Sequence, residues 1–295
     1  MRNARELAAI VAASKADRAA YRGVSDHTPN AQRFTFADGF SVVIATFNVL
    51  NPAYLFYQNG LSQDDKPLPS WLKMEDQAGL EHCPASDPLR QVERESVIFA
   101  SILKFLTSHE RVVLCLQECW PALEKQLWNS ATTLGFEVIK QPLVAKSYPL
   151  TLVRGDMKVQ YLGDVSIRIN DIIIVDNVHM GFNTEDNHEI VKHCLKTQAT
   201  WHYIVGDFNI QTQLLSLGVL EDGACTDTLT EFTDRFAWPE FSFAVHPRGW
   251  TNWNVRKNCT DREKNWDHFD NIMLCTGIDT PLPLVEPILW DVTLQ

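Results

Sequence analysis

Long apolar runs are missing from this chain. No stretch approaches the roughly 18 apolar residues of a membrane-spanning helix, so stable insertion into a bilayer is not expected. Basic residues are in deficit, with 26 Lys and Arg against 37 Asp and Glu. The resulting net charge of −11 argues against indiscriminate binding to nucleic acid, because a surface that tracks phosphates is normally basic. A polyanionic substrate would need local help from residues such as Arg90, Arg94, Arg168, Arg248, Arg256, Lys257, Arg262 and Lys264, although solvated surface is the ordinary place for such side chains. Metal-ligand pairing is missing among the seven cysteines, since no second close pair completes a zinc knuckle with Cys115 and Cys119. Cys115 and Cys275 lie in or beside apolar strand-like runs, as small buried hydrophobes do, and this usage favours a reducing compartment, with the cytoplasm as the expected location. Internal repeats and low-complexity segments are absent as well.

What is present is enough apolar material, 45% of 295 residues, to bury one large core. Residues 1–32 read as a helical prefix with Ala4, Leu7, Ala8 and Val11 on one face. Glu6, Lys15, Asp17 and Arg18 interrupt or bound its apolar patch and argue against a signal peptide. Residues 33–295 read as one domain. It opens on a hairpin whose arms, from Arg33 and from Ser41, flank the turn pair Asp38-Gly39. Residues 51–88 have no periodicity and carry five prolines, which predicts an irregular insertion, while Tyr54, Phe56, Tyr57 and Trp71 in it call for something to pack against. The prefix and this insertion are the candidate surfaces for a protein partner. Leu89, Val92, Phe99, Leu103 and Leu106 predict a helix over about 87–108, and Pro121 opens a second one with Leu123, Leu127, Ala131 and Leu134 on one face.

Five apolar, strand-like runs each carry polar side chains suited to a metal or a phosphate. Asn48 lies in Ile44-Ala45-Thr46-Phe47-Asn48-Val49-Leu50, and Glu118 ends Val112-Val113-Leu114-Cys115-Leu116-Gln117-Glu118. His179 ends the run from Ile172, and Gly206-Asp207-Phe208-Asn209 follows Trp201-His202-Tyr203-Ile204-Val205. Asp270 begins the run Asp270-Asn271-Ile272-Met273-Leu274. An Asp and an Asn two apart at a strand end point into one cleft if the chain stays extended. An acid such as Glu118 at the end of an apolar run must find water, a partner or a metal.

In this order the five segments resemble the endonuclease/exonuclease/phosphatase superfamily of metal-dependent phosphoesterases, over roughly residues 42 to 275. Tyr54, Tyr57, Trp71 and Trp250-Thr251-Asn252-Trp253 look more like its deadenylase and nocturnin branch than its deoxyribonuclease branch, and such aromatics stack bases or simply pack. The resemblance implies a four-layer α/β sandwich, two packed sheets flanked by helices. It implies Mg2+, with Mn2+ as the alternative, held by Glu118 and Asn48. It further implies Asp207 on the attacking water, Asn209 on the phosphate, and His179 donating to phosphoryl oxygens.

Members of the family usually carry a Ser-Asp-His near the C-terminus, and the residue matched by Asp270 orients that histidine. After His268 this chain has no histidine, so Trp266-Asp267-His268 supplies the candidates: Asp267 for the metal and His268 for catalysis. The expected function is a metal-dependent phosphodiesterase, favoured as a 3′ exoribonuclease with RNA or nucleotide as substrate. The alternatives are a phosphomonoesterase acting on a nucleotide or a lipid headgroup, and a degenerate protein-binding module.

Overall fold

The computed structural model describes residues 27–51, 91–141, 148–163, 165–180, 199–208, 240–243, 252–253, 266–267, 270–276, 280–290 and 292. The prefix ahead of His27 and the expected insertion beyond its first residue, Asn51, lie outside them, as do Asn209 and His268. Strands β1 (Asn30–Thr35) and β2 (Ser41–Asn48) form the expected hairpin, which starts three residues earlier than Arg33. Its turn closes through Gly39 N–H to the Phe36 carbonyl at 2.9 Å, with Gly39 at φ 84°. The chain continues through α1 (Gln91–Thr107), β3 (Val112–Cys119) and α2 (Pro121–Leu134) to β4 (Phe136–Lys140) and β5 (Tyr148–Arg154). Then come β6 (Val159–Gly163), β7 (Ser166–Ile169), β8 (Ile173–His179) and β9 (Trp201–Asp207). The later strands are β10 (Glu240–Phe243), β11 (Asn252–Trp253), β12 (Trp266–Asp267), β13 (Asp270–Thr276) and β14 (Leu284–Ile288).

Two six-stranded mixed sheets result, ordered β14-β1-β2-β3-β5-β4 and β10-β13-β9-β8-β7-β6, with β11 and β12 as a separate ribbon. In each sheet one central pair is parallel, β2 with β3 and β8 with β9. Alternation along the strands builds two cores. Val43, Ala45, Phe47, Leu114, Leu116, Leu150 and Leu152 face α1 and α2, where Ile98, Ile102, Leu106, Leu123 and Leu127 meet them. Ile44, Val113, Cys115 and Val153 point the other way, onto Ile167, Ile173, Val175, Tyr203, Val205, Ile272 and Leu274 of the second sheet. The architecture is thus the expected α/β sandwich of two packed sheets, with helices covering the first. The outward side chains of the second sheet, Ile174, Asp176, Val178, His202 and Ile204, are buried as well.

Strand β5 was not among the sequence expectations. Pro149 sits near its start and demotes the segment to an edge or a loop by propensity. The structure nevertheless places β5 between β3 and β4, with the proline carbonyl accepting the Gln141 N–H at 3.3 Å.

Candidate active site

Polarity rises in two-residue steps along the space between the sheets. On β2 the inward series is Ile44, Thr46, Asn48; on β3 it is Val113, Cys115, Gln117; on β8 it is Ile173, Val175, Asn177, His179; on β9 it is Tyr203, Val205, Asp207. Strand β13 runs antiparallel to β9 with Asp270 opposite Asp207, so its acid reaches the same end. Below that end lies a neutral layer. Gln117 Oε1 accepts from Thr46 Oγ1 at 3.0 Å, and Gln117 Nε2 donates to Asn177 Oδ1 at 2.8 Å across the sheets. Asn177 Nδ2 donates in turn to the carbonyls of Leu150 at 3.0 Å and Leu116 at 3.3 Å.

The charged layer is organised by one carboxamide. Asn48 Nδ2 donates to Glu118 Oε1 at 3.0 Å and to Asp207 Oδ2 at 2.8 Å, while its Oδ1 accepts the Leu50 N–H at 2.9 Å. The second Glu118 oxygen accepts the Asn51 N–H at 3.1 Å. His179 Nε2 stands 3.6 Å from Glu118 Oε1 and 4.0 Å from Asp207 Oδ2. Asp270 Oδ1 accepts the Asn48 backbone N–H at 3.3 Å, and Asp270 Oδ2 lies 2.8 Å from Nδ1 of His27. Glu118 is 8% exposed, Asp207 1% and Asp270 0%.

Two backbone features make this geometry. Strict alternation would send Glu118 to the helix-packed face with Leu114 and Leu116. Its φ of 57° and a register shift between Leu116 and Cys119 turn it into the site instead. A bulky residue in the left-handed region costs on the order of 1–3 kcal/mol, a strain that surrounding structure must hold in place. Gly206, just ahead of Asp207, is required by close approach, since a Cβ there would sit 1.8 Å from the Val178 carbonyl oxygen.

Five of the residues singled out in the sequence therefore converge: Asn48, Glu118, His179, Asp207 and Asp270. Asp267 pairs through its backbone with Asn252 in the β11–β12 ribbon. Two further residues take part. His27 ends Ser25-Asp26-His27, a Ser-Asp-His on the N-terminal side of the chain that the expectation of such a motif near the C-terminus passed over, and Arg94, grouped in the sequence with residues for the cleft or the surface, is fully buried. Arg94 Nη2 donates to the carbonyls of Val49 at 2.5 Å and Leu50 at 3.0 Å and so fixes the turn after Asn48. Donor atoms of Glu118, His179 and Asp207 lie within 4.8 Å of one another, and those of His27, Asp207 and Asp270 meet the same limit.

Fold and site together define a two-sheet α/β protein with an acidic, histidine-flanked centre at the end of its inter-sheet space. No family model matches the chain, and no curated protein matches it. Among solved structures it is similar to ANGEL2, a 2′,3′-cyclic phosphatase, at 13% identity, with 91% of each chain covered and a TM-score of 0.45. It is also similar to an endonuclease/exonuclease/phosphatase from Bacteroides vulgatus at 12% identity, covering 64% of this chain and 82% of that one, with a TM-score of 0.44. A third is the 3′ phosphatase NExo from Neisseria bound to a product DNA hairpin, at 15% identity, covering 61% of this chain and 82% of that one, with a TM-score of 0.40. The Bacteroides vulgatus structure carries the name of the superfamily that the five sequence motifs resemble.

Proposed function

We propose that this chain is a divalent-metal-dependent phosphodiesterase that removes nucleotides from RNA 3′ ends, with Mg2+ as the favoured ion and Mn2+ as the alternative. The observation that supports the reading is the Asn48 carboxamide shared by Glu118 and Asp207, with His179 beside both. Two acids drawn from different sheets onto one neutral group repel each other unless a cation offsets them. Among the described residues Glu118 has no lysine or arginine partner, and carboxylate oxygens suit a hard divalent ion, so the donor set fits one.

When bound, such an ion supplies Lewis-acid polarisation of the phosphoryl oxygens. Glu118 holds it, with Asn48 fixing the carboxylate. Asp207 accepts a hydrogen bond from the attacking water and sets its direction, and His179 donates to a phosphoryl oxygen, a stabilisation worth most in a water-poor site. The water oxygen bonds to phosphorus and gives up one proton through Asp207, the ester P–O bond breaks, and the leaving oxygen takes up one proton, so that one water is consumed across the bond. Asp270 holds the Asn48 backbone so that the two first acids stay in register. For residues outside this frame the reading keeps Asn209 on the phosphate, Asp267 as an added metal ligand and His268 as a further catalytic histidine.

The test compares wild type with Asp207→Ala on labelled poly(A) RNA and on a generic phosphodiester, with Mg2+ or with EDTA. Metal-dependent cleavage that the substitution removes supports the reading, and single-nucleotide laddering supports exonuclease action. Cleavage that survives EDTA and Asp207→Ala together refutes it. The net charge of −11 favours a second reading, a phosphomonoesterase, whose substrate binding would show a shallow salt dependence where a polymer's is steep.

A further inference from the structure

His27 ends Ser25-Asp26-His27, a Ser-Asp-His that this chain carries ahead of β1, whereas the resemblance places it near the C-terminus. It precedes β1 by three positions, is 5% exposed, and places Nδ1 2.8 Å from Asp270 Oδ2. Asp270 is fixed on both oxygens, since its Oδ1 takes the Asn48 N–H, and its backbone carbonyl accepts Asn30 Nδ2 at 3.2 Å. The start of β1 and the residues just ahead of it are thereby fastened to the start of β13 at two points, across 243 residues of sequence for the His27 contact. That fastening alone would make His27 structural. One of its ring nitrogens, however, lies within 4.8 Å of an Asp207 oxygen as well as of an Asp270 oxygen, and Asp207 is also the acid beside His179. Asp207 therefore has an imidazole in each of its two neighbourhoods. An imidazole held by a carboxylate through one nitrogen has its ring orientation fixed, which is the usual preparation for hydrogen bonding to a reacting group through the other.

We propose that His27 is a catalytic residue of this centre. Oriented by Asp270, it hydrogen-bonds the phosphoryl group that the water on Asp207 attacks, from the side away from His179. The proposal rests on the phosphoesterase reading. It assigns the histidine partner of Asp270 to the N-terminal side of the domain, where the family resemblance places that partner near the C-terminal end.

The test uses the full chain with His27→Asn, His27→Ala and Asp270→Asn. Asparagine keeps a hydrogen-bonding group near the position of Nδ1 and removes the ring, so it separates fastening from chemistry. In Mg2+, His27→Asn is expected to keep its Tm within about 2 °C of wild type while kcat falls by ~100-fold or more and KM moves far less. A second readout needs no turnover: in 15N-histidine-labelled protein, inorganic phosphate is expected to shift the imidazole signal that His27→Asn removes, and Asp270→Asn is expected to abolish that shift. Activity of His27→Asn within about threefold of wild type, or an imidazole signal that phosphate leaves unmoved, overturns the proposal. If wild type cuts no phosphoester while the His27 signal still shifts, the phosphoesterase reading falls and the His27 phosphate contact stands. If wild type cuts and His27→Asn cuts equally well, His27 is a fastener and the reading stands.

Discussion

Changing Asn48 to aspartate puts a carboxylate where a carboxamide now donates to two others. The oxygen contacts would fall near the present 3.0 Å to Glu118 and 2.8 Å to Asp207. At an effective dielectric near 20, each like-charge contact at about 3 Å costs ~5 kcal/mol before relaxation. The protein will not carry that whole sum, because one acid takes up a proton or the strand ends separate. The net loss is expected at about 3–5 kcal/mol, the range for a buried charge left without compensation. Asn48→Ala removes the shared donor without adding charge and is expected to cost ~1–3 kcal/mol. In EDTA, melting followed by circular dichroism should therefore rank wild type above Asn48→Ala and Asn48→Asp lowest, with the last about 6–20 °C below wild type. Mg2+ or Mn2+ should raise the Tm of Asn48→Asp more than that of wild type, because an ion among three carboxylates gains more than an ion between two. Equal Tm values for the two variants in EDTA would refute the claim that Asn48 holds the acids apart.

Four further outcomes follow from the same geometry. Gly206→Ala forces a Cβ to within 1.8 Å of a backbone oxygen on β8, which cannot rotate away, and should cost ~3 kcal/mol or more in urea unfolding along with most of the activity. Burial pushes the Cys115 thiol up, and burial together with the Glu124 and Glu118 carboxylates pushes that of Cys119 well up, so both stay protonated as pH rises through the usual thiol range. Peptide mapping after iodoacetamide at pH 8 should find both unmodified in native protein and both modified in urea. Trp290→Ala removes an indole stacked on Phe105 at 4.0 Å and edge-on to Phe47 at 5.6 Å, for a loss of about 3–5 kcal/mol that thermal melting would read. In a double-mutant cycle, Gln117→Leu and Asn177→Leu together should cost ~1–2 kcal/mol less than their sum, since they share the 2.8 Å bond that spans the sheets.

Much of the site was legible because each acid or amide ends an apolar strand, and a buried strand has few reasons to carry such groups where it leaves the core. Asp207 and Asp270 follow simple alternation, which is why their convergence could be anticipated. Glu118 does not: alternation sends it to α1 and α2, and its turn into the site depends on a left-handed residue that its side chain does nothing to announce. His27 was missed for a different reason. Ser25-Asp26-His27 carries the Ser-Asp-His signature, but at the opposite end of the chain from where the resemblance places it, 243 residues from the Asp270 it meets once β1 pairs with β2. Arg94 reads as a surface base on a helix, whereas the carbonyls of Val49 and Leu50 it satisfies become visible only once the chain turns. In β5 the proline outweighed a segment whose Leu150 and Leu152 face one core and Val153 the other, since burial on both faces erases the alternation that marks a strand.

The graded polarity between the sheets explains how acids can be held so close. Apolar side chains such as Ile44, Val175 and Tyr203 fix the spacing of the sheets at one end. The neutral layer of Thr46, Gln117 and Asn177 then locks register, because each hydrogen bond there is directional and has no water to replace it. One two-residue step further, Asn48, Glu118, Asp207 and Asp270 are charged or strongly polar, and their positions are set by the layer beneath. An acid placed by two sheets at once cannot swing out to relieve repulsion without unpacking one of them. The relief then comes from groups brought to the site, a carboxamide and two imidazoles, and the oxygen donors suit a cation. The sandwich is in this sense the cause of the arrangement, since a single strand end or a mobile loop would let the same residues drift apart.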